Sequence, residues 1–181
     1  MNEFIKCLIF LTAIGIISFF LGRLLLKGWF HYDRFPYKAF AFERGGELYI
    51  RLGVRRWKEQ FPDMSVILPK LIPSKKLPSK PTAAMIEAMI RETCVAEWTH
   101  KLLALVGFGC TWIWKGVGGW TISLLYALGN IPYVIIQRYN RPKLLRLMER
   151  LEKKESASQN RGQQITHEES FDFKLQYGRG A

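Results

Sequence analysis

The sequence lacks the patterns that most soluble catalytic and nucleotide-binding readings rest on. It has no G-x-S-x-G elbow and no glycine-rich phosphate loop. It has no zinc-finger spacing and no RNA-binding aromatic signature, so the basic charge is not read as a nucleic-acid footprint. Its three cysteines, Cys7, Cys94 and Cys110, form no C-x-x-C pair and fall in apolar or helical context. That excludes a disulfide framework and a metal knuckle, leaving small buried side chains. Only one Glu-x-x-His pair occurs, too few for a di-iron bundle, so no metal is expected. Acidic residues are scarce as well: 15 against 27 Lys and Arg, a net charge of +12. A surplus of that size calls for an anionic partner, and the basic residues lie beside apolar blocks, where anionic lipid headgroups would be.

What is present is a chain of 181 residues, enough for one domain. Hydrophobic residues make up 49% of it and come in long blocks. Cys7 to Gly22 carries no charge and is bracketed by Lys6 and Arg23, whose stems can snorkel to give about 20 residues of membrane length. A cleavable signal peptide is the rival reading, but no A-x-A-like site follows Phe20, and a retained anchor is expected. From Arg23 to Lys80 there are 13 Lys or Arg and 5 Asp or Glu. Aromatics interleave with those charges, as at a membrane interface. Glu43 to Val54 reads as a turn and a short strand, and Arg55-Arg56-Trp57-Lys58 as a lipid-facing basic patch before Pro62. Leu68 to Pro81, with four prolines and four lysines, reads as an extended loop.

A long helix is expected from Pro81 to Trp114, capped by Ser79 or Thr82. The glycine-rich stretch Lys115 to Trp120 is a turn, and Thr121 to Gln137 is a return helix kinked at Pro132. Pro142 opens an amphipathic helix, and the polar tail 155–181 is expected to be disordered. The fold class is therefore a mainly α membrane protein. An anchor helix is followed by a basic interfacial segment with a short β element, a long helix entering a transmembrane hairpin, an amphipathic helix and the tail. Residues 1–154 form a single membrane-embedded domain with spans at about 5–23, 95–114 and 120–137. The basic loops 23–80 and 138–154 put the N-terminus outside and the C-terminus in the cytoplasm. A re-entrant hairpin over 102–136 is the alternative, because only thirteen uncharged residues precede Lys115.

Two polar clusters stand where the apolar runs begin and end. The first spans Glu92 to His100, and on a helix Thr93, Ala96, Glu97 and His100 share a face. The second is Gln137-Arg138-Tyr139-Asn140-Arg141-Pro142. A hairpin between them makes the two clusters neighbours at the interface. A carboxylate beside a histidine makes a general base, arginines grip phosphate or carboxylate, and Asn140 or Tyr139 can donate to an oxyanion. The structural alternative is that Glu97 pairs with Arg138 or Lys101 and locks the hairpin. His31, near Asp33, and His167 are lesser candidates.

The pattern E-T-x-x-A-E-x-x-H, followed by N-x-P-x-x-x-x-Q-R-Y-N-R-P, resembles the glycosyl-4,4'-diaponeurosporenoate acyltransferase family. The matching residues are Glu92, Thr93, Ala96, Glu97 and His100, then Asn130, Pro132 and Gln137 to Pro142, with an R-x-W-K element at Arg55 or Arg56, Trp57 and Lys58. The likeness covers roughly residues 40–153. It implies a bacterial cell-membrane enzyme that moves a fatty acyl group from an activated carrier, acyl-CoA or similar, to a sugar hydroxyl of a glycosylated carotenoid. The product is a pigment of the staphyloxanthin type, and no tightly bound cofactor is involved. Partners would be an anionic bilayer, an amphiphilic glycoside acceptor and pathway enzymes, and not nucleic acid. In that reaction His100 would be the base and Glu97 its orienting partner. Arg138 and Arg141 would hold carrier phosphates, Asn140 or Tyr139 would support the oxyanion, and Glu92 would line the substrate site. The usual acyltransferase pattern of a histidine four residues before an aspartate is missing, since Lys-Leu-Leu-Ala-Leu follows His100. Two other readings stand beside it: acylation of another glycolipid, and a non-catalytic scaffold that binds anionic lipid.

Overall fold

The computed structural model describes residues 2–25, 27–61 and 79–177, with residues 27 and 162–177 as backbone only. Helix α1 runs Glu3–Leu24. Asn2 caps it by accepting from the Phe4 amide at 3.2 Å, and Glu3 and Arg23 complement the dipole at either end. Its 22 residues reach about 33 Å, the thickness of a bilayer's hydrocarbon core. It buries only Cys7 and Ser18 and turns Ile9, Ile16, Ile17 and Phe20 outward.

The basic segment that follows is built from 3-10 turns at Lys27–Trp29 and Ala41–Gly46, helix α2 (Glu47–Arg51) and helix α3 (Val54–Trp57). The short strand expected over 43–54 does not form, and no strand occurs among the described residues. The reason lies in Tyr49 and Val54, which both pack on Tyr139. An odd separation would send them to opposite faces of a strand, whereas helix and turn send them to the same side. Arg44, Gly45 and Gly46 take left-handed φ values of 46°, 64° and 103°, which fold the chain back. Gly46 does so against the ring of Pro142. The extended loop expected over 68–81 lies mostly outside the described residues.

Helix α4 runs Ala83–Val106, capped by Thr82, whose hydroxyl accepts from the Met85 amide at 3.3 Å. A 3-10 turn at Gly107–Gly109 and the short α5 (Cys110–Ile113) follow. The expected single helix through Trp114 is thus three consecutive helical pieces that end at Ile113. The chain turns at Trp114–Gly116 and enters α6, Val117–Tyr177. Both Pro132 and Pro142 lie inside this helix, so Pro142 continues it where a new helix was expected to open. The tail expected to lack structure continues as helix through Tyr177. Two helices, α1 and α6, are long and apolar enough to cross a membrane. They are not core helices: Leu124, Leu125, Leu128 and Ile131 of α6 point outward like their counterparts on α1.

Helices α4 and α6 pack antiparallel. The α4 stripe that faces α6 reads Ile86, Ile90, Thr93, Glu97, His100, at spacings of four and three. Its apolar half packs Ile86 and Ile90 on Met148, Leu144 and Leu151. Each isoleucine contributes roughly 1.5–3 kcal/mol by burial. The polar half continues the same stripe, so its charges face protein and must find partners there. Phe30 and Tyr37 of the basic segment close over Cys94 and Val95. All three cysteines are buried and free.

Candidate active site

The hairpin brings the two polar clusters into contact. Glu97 is fully buried. Its Oε1 accepts from Lys101 Nζ and from Arg138 Nη1 at 2.8 Å, and its Oε2 from Arg141 Nη2 at 2.6 Å. Glu43, 1% exposed, accepts through Oε1 from Arg138 Nε at 2.6 Å and from the Tyr49 hydroxyl at 2.8 Å. Arg138 also donates to the Pro36 and Lys38 carbonyls and lies over the Phe40 ring at 4.5 Å. Arg141 donates through Nε to the Thr93 hydroxyl at 2.9 Å and through Nη1 to the Tyr37 carbonyl at 2.7 Å. No buried side-chain N or O among the described residues is left without a partner.

This cluster is balanced: two buried guanidinium groups against two buried carboxylates. Desolvating such charges costs several kcal/mol each, and only full pairing offsets it. Burial, reinforced by the bond to Glu43, pushes the Tyr49 hydroxyl up to about 12. Burial pushes Tyr37 up to about 12 as well. Both phenols stay neutral at ordinary pH, so Tyr49 donates to Glu43 without adding charge.

One turn along α4 sits His100, half-buried. Its Nδ1 lies 2.9 Å from Asn130 Oδ1, and its ring stacks on Tyr133 at 4.5 Å, tilted by 8°. Asn130 is itself fixed, donating through Nδ2 to the Tyr126 carbonyl at 2.9 Å. With its amide so oriented, Oδ1 can only accept, so His100 Nδ1 carries the proton and the lone pair of the neutral ring falls on Nε2.

One turn the other way lies a cavity of about 350 Å³. Met89, Glu92, Thr93 and Ala96 line it from α4, Gln137, Asn140, Lys143 and Leu144 from α6, and Lys58 from the basic segment. Its size falls at the lower end of the range of about 300–1,000 Å³ for small-molecule pockets. Of the residues singled out from sequence, Glu92 and Asn140 line it. Tyr139 is buried beneath it against Tyr49 and Val54, with Lys143 Nζ 3.6 Å and Lys58 Nζ 5.6 Å from its ring centroid. Glu97, Arg138 and Arg141 do not line it; Arg141 is joined to it through the Thr93 hydroxyl. The orienting contact expected from Glu97 to His100 comes instead from Asn130, because the Glu97 carboxylate is taken up by three cations. Arg138 and Arg141, expected to grip phosphates, are spent on Glu43, Glu97 and main-chain carbonyls. His31 lies exposed, and the side chain of His167 is outside the described residues. Among the described residues no three His, Cys, Asp or Glu gather to hold a metal.

Sequence reasoning missed Glu43, Tyr49 and Asn130 as partners, and Lys58, Gln137 and Lys143 as cavity residues. One signal for Glu43 was available: two arginines beside a single glutamate leave a buried cluster one carboxylate short, and the basic segment offers few.

Two outer helices long and apolar enough to cross a membrane, an ion cluster locking a helix pair, a cavity with both polar and apolar lining, and an oriented histidine on the same pair define a helical protein with an amphiphilic site. Residues 27–150 match the family described as glycosyl-4,4'-diaponeurosporenoate acyltransferase, and the chain belongs to that family of acyltransferases. Relatives of that name from Staphylococcus aureus are similar to it. The protein of strain Newman is 30% identical over 163 residues, covering 85% of this chain and 95% of the relative, and that of strain USA300 is 29% identical over the same extent. No solved structure matches the chain.

Proposed function

We propose that the protein transfers a fatty acyl group from a thioester carrier, acyl-CoA or similar, to a sugar hydroxyl of a glycosylated carotenoid acid at the cytoplasmic face of a bacterial cell membrane. Family membership and the cavity's position support this reading. The cavity lies where the outward-facing apolar helices end and basic residues begin, the depth at which two amphiphilic substrates would present their heads. In this reading α1 and the apolar part of α6 lie in the bilayer. The α4–α5 arm packs between them, and the basic surface faces the cytoplasm. The N-terminus is then outside.

His100 takes the proton of the sugar hydroxyl on Nε2 as the sugar oxygen bonds to the acyl carbon. The thioester C–S bond breaks, and the leaving thiolate recovers the proton from the imidazolium. Asn130 holds the ring in the required tautomer, and Tyr133 holds its plane. Asn140 lies about two turns of α6 beyond Tyr133, roughly 10 Å along the axis, so it serves the cavity and not the acyl carbon that His100 attends; Tyr139 is packed away as well. Glu97, Arg138 and Arg141 hold the helices in register.

The single observation that carries the assignment of His100 is its fixed tautomer, one turn of α4 beyond Ala96 at the cavity wall. The test is transfer of a labelled acyl chain to glycosyl-4,4'-diaponeurosporenoate by purified protein in nanodiscs. Wild type is expected to form the ester, His100→Ala to lose at least about 100-fold in turnover, and Asn130→Ala to lose less. No ester from the wild type, where a characterised relative succeeds, refutes the reaction. An active His100→Ala refutes the base.

A further inference from the structure

The buried arginines cannot receive an incoming anion without surrendering Glu43 or Glu97. Among the described cavity residues, two cations remain: Lys58, from the basic segment just after α3, and Lys143, on α6. They are far apart in sequence, yet both ammonium groups lie over one ring, that of Tyr139. No ion pair to either is found among the described residues. Two like charges that reach one ring and line one cavity repel each other, and an anion in that cavity offsets the repulsion. Gln137 and Asn140 add neutral donors at the same wall. Glu92 is the one carboxylate among the described lining residues, and the lysines outnumber it. Met89, Ala96 and Leu144 add apolar lining to the same cavity.

We infer that Lys58 and Lys143, with Gln137 and Asn140, form a phosphate-binding subsite that seats the phosphate ester of an amphiphile. The inference deepens the transferase reading, in which this subsite receives the carrier's phosphates in place of Arg138 and Arg141. Lysine suits the task as a point charge that need not be bidentate. The same chemistry could come from a soluble carrier or from an anionic phospholipid head, and the experiment separates them.

Full-length protein is placed in nanodiscs of zwitterionic lipid, and binding of coenzyme A and of inorganic pyrophosphate is measured by calorimetry. A second set of nanodiscs includes an anionic phospholipid, and retained lipid is counted by native mass spectrometry. The subsite predicts that Lys58→Gln and Lys143→Gln each weaken coenzyme A binding by about tenfold and that the double variant weakens it further. Lys154→Gln, about 16 Å farther along α6, should leave it unchanged. If a lipid head is the occupant, anionic nanodiscs suppress coenzyme A binding, and the double variant retains less lipid. Coenzyme A, pyrophosphate and lipid binding all unchanged in the double variant, with wild-type thermal unfolding, overturns the subsite, as does absence of all three from the wild type. Binding without transfer removes the reaction and keeps the subsite. Transfer with an unchanged donor KM and unchanged lipid retention in the double variant removes the subsite and keeps the reaction.

Discussion

Replacing Glu97 by alanine tests whether the buried charges stabilise the hairpin or serve the chemistry. The carboxylate meets Lys101, Arg138 and Arg141, but these three would feel its loss unequally. The Lys101 side chain is 44% exposed and can turn to water. Arg138 keeps Glu43 and two main-chain carbonyls. Arg141 loses its only carboxylate while 3% exposed, keeping just Thr93 and the Tyr37 carbonyl. The cost is therefore close to that of one uncompensated buried charge, about 3–5 kcal/mol. Set against a typical stability of about 5–15 kcal/mol, that is a large loss. Glu97→Gln should fare little better, since its amide would aim a donor at a guanidinium. The assay is equilibrium unfolding in mixed micelles by tryptophan fluorescence, completed as a double-mutant cycle with Arg141→Leu. The double variant should cost less than its two parents together by about 1–3 kcal/mol. A single variant within about 1 kcal/mol of wild type, or additivity within about 0.5 kcal/mol, refutes the stabilising role. Wild-type stability with acyl transfer abolished would return Glu97 to the chemistry.

Thr93→Val removes the acceptor of Arg141 Nε inside the same cluster and should cost about 1–3 kcal/mol in that unfolding assay, whereas Thr93→Ser should stay near wild type. At Gly119 a Cβ would overlap the Trp114 carbonyl oxygen and lie 2.7 Å from that of Cys110, backbone atoms that cannot yield. Gly119→Ala should therefore abolish the turn and folded yield. Gly129→Ala, with open space around its Cβ, should be neutral or stabilise by up to about 1 kcal/mol, read by thermal unfolding. Alkali should unfold the basic segment from α6 through two phenols. The stability that Tyr37 and Tyr49 gain from staying neutral is fully present below their ordinary value of 10, and it drains away as pH rises through about 12. Tyrosinate absorbance should show two phenols titrating late and together with unfolding, and their titration near 10 in folded protein would count against it.

The hairpin was legible because its signals are local: an apolar run, three glycines and a lysine, and a second apolar run. So was the meeting of the Glu97 and Arg138 clusters, which follows from antiparallel packing alone. What escaped were contacts decided by the tertiary fold. Glu43 lies some ninety residues from Arg138 in the chain, and nothing around it tells a buried ion-pair glutamate from a solvated one. The alternation in Glu-Leu-Tyr-Ile-Arg suited a strand, and only the joint burial of Tyr49 and Val54 on Tyr139 forces the helical path. Pro142 carries the usual mark of a helix start, yet α6 runs through it, with its ring set against Gly46. Asn130 was legible as part of a motif; its hold on His100 was not, because it crosses from one helix to the other.

The polar half of the α4 stripe gives the helix pair a single register. Sliding α4 by one turn, about 5.4 Å, would bring Ile90 toward Arg141 and leave the guanidinium without its carboxylate in an apolar setting. An apolar stripe would tolerate that slip at little cost, since one isoleucine replaces another against Met148 and the leucines. The ion cluster thus supplies what hydrophobic packing at this interface lacks: a penalty of several kcal/mol against the neighbouring register. That penalty is what aligns His100 with Asn130 and Ala96 with Gln137, and so fixes both the tautomer of the histidine and the walls of the cavity from a layer that touches no substrate.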